Sequence, residues 1–350
     1  MFDVWGKSLP EMEAFVADGN FPRFRARQIL DYVYRRNVFD FSKMLQLPQN
    51  MRQWLSENAV IYIPEVADTI RSSSEDTMKL LLRLRDGSLV ETVCMGHDYG
   101  NSICVSTQVG CGMGCIFCAS TRDGVKRNLT ASEMLSQVYL FKIMKGIPVH
   151  SIVLMGSGEP LTNYEECLRF IKLCHDPFCL GLSYRNITLS TCGIVPNIYR
   201  LADENIPITL AISLHAPNDS IRNRLMPSSR KYKIHDVVRA AEYYFTTTGR
   251  RVTFEYILIK GMNAGKENAL ELCSLLQNNH GHINLIPVNG TEHSKLYPPS
   301  GNEIYAFKRI LESKGRAVTL RKKMGDKIEA ACGQLKRRYT DSIQESASQA

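Results

Sequence analysis

The chain has 350 residues, 44% of them hydrophobic and 22% charged, which excludes a disordered chain and fits one large α/β domain with appendages. Lys and Arg outnumber Asp and Glu by 43 to 35, and the resulting net charge of +8 favours a polyanionic partner without naming one. No run of about 18 apolar residues is present to cross a membrane, and Met1–Pro10 lacks the basic start and apolar stretch of a secretory signal, so a cytoplasmic location is expected. In that reducing setting the 11 cysteines read as buried hydrophobes, metal ligands or catalysts, not as a disulfide scaffold.

Residues 1–60 read as a small helical module. The spacing of Phe24, Ile29, Tyr32 and Val33 predicts a helix over Phe24–Arg36, and Phe41–Leu47 and Met51–Asn58 read as two short helices around Pro48. Residues 61–99 read as a β-hairpin linker, Lys79–Leu84 and Leu89–Val93 being strands joined by an Asp86-Gly87 turn. Over 100–290 a rhythm sets in. Strand-like runs at Ile103–Val109, Ser151–Met155, Ile187–Ser190, Ile208–Leu214, Val252–Ile259 and Ile283–Val288 alternate with helical stretches at Ala131–Lys145, Tyr164–His175, Ile198–Glu204, Ile234–Thr246 and Gly265–Asn278. Repeated strand–helix units predict a parallel sheet, here a partial (β/α)6 barrel of the TIM type with helices outside. A C-terminal extension, 291–340, carries a helix at Asn302–Lys314 and a strand at Ala317–Lys322, and 341–350 reads as a flexible tail.

Such barrels carry their chemistry at the carboxyl ends of the strands. The first strand runs into Gly110–Cys118 (GCGMGCIFC), the second into Gly156–Pro160 (GSGEP) and the third into Ser190-Thr191-Cys192-Gly193; the fourth ends in Ser213-Leu214-His215-Ala216 and the sixth at Asn289. Polar and glycine-rich groups therefore converge on one rim. Cys111, Cys115 and Cys118 form C-x3-C-x2-C within a single loop. A structural zinc site wants four ligands, usually in paired short spacings, and no second C-x2-C pair exists. A 4Fe–4S cluster takes four thiolates, so three would leave one iron open. Cys94, Cys167, Cys174, Cys179 and Cys273 read as small buried hydrophobes, and burial is also expected of Cys192.

The three-cysteine loop after the first strand resembles the signature of radical-SAM enzymes, in which the open iron is chelated by S-adenosylmethionine. Further blocks narrow the likeness. Cys104–Ser120, Gly158–Leu161 (GEPL), Ser190–Gly193, Ser213–Asp219 (SLHAPND) and Arg321–Leu335 (RKKMGDKIEAACGQL) resemble, in order, the blocks of the RlmN/Cfr family of radical-SAM RNA adenine methyltransferases, from about Phe21 to Leu335. GEPL and the ending resemble the RlmN branch, whereas Cfr-type enzymes usually carry a GEAL-type block. Ser157 departs from the pattern, a methionine being common there.

The resemblance implies a [4Fe–4S] cluster on Cys111, Cys115 and Cys118, and S-adenosylmethionine on Gly158, Glu159, Ser190, Ser213, Leu214, His215 and Asn289. It implies that Cys332 carries the methyl group, that Cys104 resolves the covalent protein–RNA adduct, leaving a disulfide, and that Glu91 is the acid/base near the substrate base. The implied reaction methylates carbon 2 of an adenosine in 23S rRNA and in tRNA, using two S-adenosylmethionine molecules in turn; the Cfr-type alternative methylates carbon 8 of the same ribosomal adenosine. Carbon 2 is electron-poor and has no lone pair to attack a methyl group, so a radical route is needed, begun by methyl transfer to the nucleophilic Cys332 thiolate. An electron donor such as flavodoxin or ferredoxin and a monomeric state are implied as well. Three basic groups are candidates for phosphate contact: Arg23, Arg25, Arg27, Arg35 and Arg36; Arg222, Arg224, Arg230, Lys231 and Lys233; and Lys336, Arg337 and Arg338.

Overall fold

The computed structural model describes residues 1–72, 76–289 and 296–321. Ten strands form one sheet. In chain order they are β1 (Glu65–Arg71), β2 (Thr77–Arg83), β3 (Leu89–His97), β4 (Gly100–Cys104), β5 (Ser151–Leu154), β6 (Ile187–Thr191), β7 (Thr209–Ser213), β8 (Thr253–Leu258), β9 (His282–Pro287) and β10 (Val318–Leu320), and each pairs with its neighbours in sequence. β1 to β4 are antiparallel, and every pairing from β4 to β10 is parallel. The expected six-strand parallel array is thus present, with β10 as a seventh member from the C-terminal extension. The stretch read as a hairpin linker contributes three strands to the same sheet.

The helices are α1 (Leu9–Asp18), α2 (Arg25–Leu30), α3 (Gln49–Asn58), α4 (Ala131–Lys145), α5 (Tyr164–His175), α6 (Val195–Asp203), α7 (Asp219–Leu225), α8 (Ile234–Thr248), α9 (Lys266–Leu275) and α10 (Gly301–Ser313). The amphipathic α5 and α8 bury apolar faces that include Phe170, Ile171, Val237 and Tyr244 in the main core. No helix among the described residues is long and apolar enough to cross a membrane.

Several expectations need correction. α1 was not anticipated, although Ser8 and Glu11 announce it: the Glu11 carboxylate accepts the Ser8 N–H at 2.9 Å, closing the first turn around Pro10. The helix expected at Phe24–Arg36 is α2 followed by a π-helical turn, Asp31–Arg35, and Phe24 is exposed. Phe41–Leu47 holds only a single 3-10 turn, Phe41–Lys43.

The strand expected at Ile103–Val109 is broken. β4 stops at Cys104, and Gln108–Gly110 pairs instead with Val125–Asn128 in a separate two-stranded ribbon. The carbonyl of Ser157 causes the departure by accepting the N–H groups of Thr107 and Gln108 at 2.8 and 3.1 Å. The N-terminal module and the barrel share one continuous core, in which Trp5 meets the Tyr139 ring of α4 edge-on at 4.8 Å. Cys94, Cys167, Cys174, Cys179 and Cys273 are buried, as expected.

Candidate active site

The cysteine loop starts where the ribbon turns away from the sheet. Gly110 has φ +80°, and a Cβ on it would stand 2.0 Å from the Gly124 carbonyl, so only glycine fits. Cys111 N–H donates to Gly124 O at 3.0 Å, and Ile116 N–H donates to Leu225 O at 3.0 Å, which ties the loop to the end of α7. Cys111 and Cys115 are buried and Cys118 is half-buried. All three line one cavity of about 230 Å³ at the carboxyl ends of the parallel strands.

Gly158, Glu159, Ser190, Ser213 and His215 line the same cavity. Gly158 has φ +112°, and a Cβ there would come within 2.6 Å of Thr107 Oγ1. Ser157, the departure from the family pattern, braces the two loops, its hydroxyl donating to Gly110 O at 3.0 Å. Glu159 is buried and works as a bracket: Oε1 accepts Leu161 N–H at 3.0 Å and Oε2 accepts Cys192 N–H at 2.6 Å. Burial pushes its carboxyl above the usual range.

His215 is buried in the left-handed region, at φ +59°. Its Nδ1 accepts Ile257 N–H at 3.1 Å, which assigns the proton to Nε2, and its carbonyl accepts the buried Asn263 amide at 2.8 Å. Burial, then the nearby Arg222 charge, lowers the imidazole to about 3, so the ring is a neutral latch between β7 and β8. Leu214 lies wholly beneath the cavity floor, and Asn289 is exposed just past β9; neither lines the cavity.

Glu91 and Cys104 also lie outside that lining, on a common face of the antiparallel side of the sheet, where Val93, two residues beyond Glu91, pairs with Cys104. Glu91 is buried within β3, and its Oε2 stands 3.1 Å from Nζ of the fully buried Lys79, in place of the exposed strand-end carboxylate that position ordinarily carries. Cys332, Lys336, Arg337 and Arg338 fall outside the described residues.

Two expectations about the rim are overturned. Cys192 is not simply buried: it lines the cavity, and a hydrogen bond from its thiol holds Cys115 below the usual thiol range. Arg222 is no phosphate-facing surface residue but is fully buried, while Arg224, Arg230, Lys231 and Lys233 remain exposed. Sequence reasoning also passed over Glu255, a buried carboxylate on β8 that lines the cavity and accepts the Asn284 amide at 2.8 Å. Its place on an inward-facing strand position was the available signal.

The donor set suits a cluster better than a single ion. No three His, Cys, Asp or Glu side chains among the described residues are grouped to hold one metal ion. Three thiols around a shared cavity meet the other requirement, that each binds its own iron of a cubane. A second cavity, about 620 Å³, opens at the amino ends of β5 and β6 beside Ser102, Ser151 and Thr188, and carries none of these motifs.

The radical SAM superfamily model matches residues 105–273, and the model for the N-terminal domain of the ribosomal RNA large subunit methyltransferases matches residues 2–61. Barrel, loop and rim thus define a radical SAM enzyme. A protein of Symbiobacterium thermophilum named as a probable dual-specificity RNA methyltransferase RlmN is 48% identical over 336 residues, covering 95% of this chain and 91% of its own. A Clostridium perfringens protein of the same name is 46% identical, covering 98% and 99%. The crystal structure of a radical SAM methyltransferase from Sphaerobacter thermophilus superposes with a TM-score of 0.90 at 40% identity, over 95% of this chain and 99% of that one. The chain belongs to the RlmN family of radical SAM methyltransferases.

Proposed function

We propose that this enzyme methylates carbon 2 of adenosine in RNA, in both 23S rRNA and tRNA, with Cys332 as the methyl carrier. The observation that carries the reading is the shared cavity: the three cysteines of one loop and the Gly158, Ser190 and Ser213 positions of three neighbouring strand ends line the same space. The dual-specificity name of its relatives supports the two RNA substrates.

Cys111, Cys115 and Cys118 would hold a [4Fe–4S] cluster, with S-adenosylmethionine against Gly158, Ser190, Ser213 and His215. When bound, the pair supplies a carbon radical able to take hydrogen from a methyl group. Gly158 lets the loop turn tightly against Thr107 and so holds its backbone at the cavity wall, and the hydroxyls of Ser190 and Ser213 offer donors and acceptors. Cys332 first accepts a methyl group as a thiolate. Once the new carbon–carbon bond has formed and the adduct has given up its unpaired electron to a one-electron acceptor, a role the bound cluster would supply, Glu91 takes the proton from carbon 2, and the buried Lys79 ammonium compensates its charge. The Cys104 thiolate then attacks the Cys332 sulfur; the pair of the broken sulfur–carbon bond passes to the methylene carbon and base, a proton taken up there completes the methyl group, and the disulfide is left for reduction.

Incubation of oxygen-protected enzyme with RNA, S-adenosylmethionine and reductant, followed by mass spectrometry of the digested RNA, tests this reading. 2-Methyladenosine in both RNAs is expected, and 8-methyladenosine in its place would overturn the choice of carbon.

A further inference from the structure

Arg222 is fully buried on α7, and among the described residues its guanidinium hydrogen-bonds to neutral carbonyls alone. Nη2 donates to Cys192 O at 2.6 Å and Ser213 O at 3.4 Å, and Nε donates to Leu214 O at 3.3 Å. Nη1 is buried with no partner among the described residues. The carboxylates nearby are engaged elsewhere: Asp219, on the same helix, accepts Ile234 N–H at 2.8 Å, and Glu159 holds the opposite edge of the Cys192 residue through its N–H. A cation taken from water and met only by dipoles is costly, and the cost is recovered when an anion sits beside it.

The chain around Arg222 says where that anion belongs. α7 grips the cysteine loop through Leu225 O and Ile116 N–H, at 3.0 Å. The Cys192 carbonyl that Arg222 holds belongs to the residue whose side chain packs with Cys115 in the cavity wall. We infer that Arg222 is the built-in counter-charge of the cluster held by Cys111, Cys115 and Cys118, and that it raises the cluster's reduction potential. The inference rests on the cluster reading above and adds to it the residue that sets how readily an electron enters. Three thiolates make such a cluster net negative, and reduction makes it more so, so a fixed positive charge favours the reduced state. Cys192 acts with Arg222 as a positioning residue, because a hydrogen bond to a ligand sulfur moves the potential in the same direction.

The experiment is an EPR-monitored redox titration of anaerobically reconstituted full-length enzyme, without S-adenosylmethionine, in wild type, R222M, R222K and C192A. Iron and sulfide analysis first checks the cluster itself. A wild type without four irons per chain would sink the cluster reading and this inference together. With the cluster present, R222M is expected to shift the midpoint to more negative potential, C192A to shift it less in the same direction, and R222K to stay near wild type. A midpoint in R222M equal to wild type, or one in R222K displaced as far as R222M, overturns the inference. Thermal melts with and without cluster supply a second reading that survives poor folding of R222M. The rise in melting temperature on cluster loading should be preserved in R222K, and its disappearance there would count against a role for the charge.

Discussion

Among the described residues two cations, Lys79 and Arg222, are sealed inside the fold, and they are sealed differently. Lys79, on the antiparallel side of the sheet, faces the Glu91 carboxylate at 3.1 Å. Arg222, behind the cysteine loop, has three carbonyls and an orphaned nitrogen. The first charge is complete in the polypeptide alone. The second is not, and it lies beside the loop of three thiols. A buried ion pair is already compensated, whereas a buried cation met by dipoles is stabilised further by any anion brought beside it.

The contrast can be attacked from either end. The largest effect is expected at the open end: C118A should abolish cluster absorbance and all methylated product, with the fold retained by circular dichroism. Retained 5′-deoxyadenosine formation would remove Cys118 from the ligand set. At the closed end, K79M removes the cation facing the buried Glu91 carboxylate and should cost about 3–5 kcal/mol in denaturant titration. The double variant K79M/E91L should recover much of that loss, and additive losses would show that the two residues do not act as a pair.

His215 comes next. Its imidazole is lowered to about 3, below its unfolded value, so the unfolded chain binds the extra proton first. Its contribution is present above the unfolded value near 6.5 and is lost as pH falls from there toward 3. H215Q should flatten stability against pH within that window, by on the order of a few kcal/mol at its acid end. An unchanged slope would place the acid sensitivity elsewhere. The smallest effect is expected of S157A, which removes the hydroxyl tie to Gly110 O and should cost about 1 kcal/mol with little change in iron content.

Much of the rim was legible because it follows from strand order. Once strands alternate with helices, the residues after each strand must meet at one end, and Cys111, Gly158, Ser190 and Ser213 do so. What stayed hidden depends on contacts between distant segments. Val105–Val109 continues the β pattern of Ile103 and Cys104, yet the Ser157 carbonyl takes the amides that a continuing ladder would have used. Lys79 sits in a strand buried along nearly its whole length, where a lysine is not expected, and the opposing Glu91 carboxylate helps to compensate its burial. Arg222 lies close after Asn218, Asp219 and Ser220 and reads as surface until the carbonyls of Cys192, Ser213 and Leu214, at the ends of β6 and β7, close over it. Cys192 was visible at a strand end, but its neighbour Cys115 is 77 positions away in the chain.

The direction of β10 has a consequence for how the enzyme is completed. It runs parallel to β9, so the polypeptide leaves the sheet at the cavity end, and Arg321, the residue right after it, already forms part of the cavity wall. Reversed, the same three residues would have delivered the chain to the opposite end of the sheet. Cys332, the methyl carrier under the proposed function, follows Arg321 by 11 positions in the sequence. One short edge strand thereby decides at which end of the sheet the polypeptide emerges, and it is the end that holds the three cysteines.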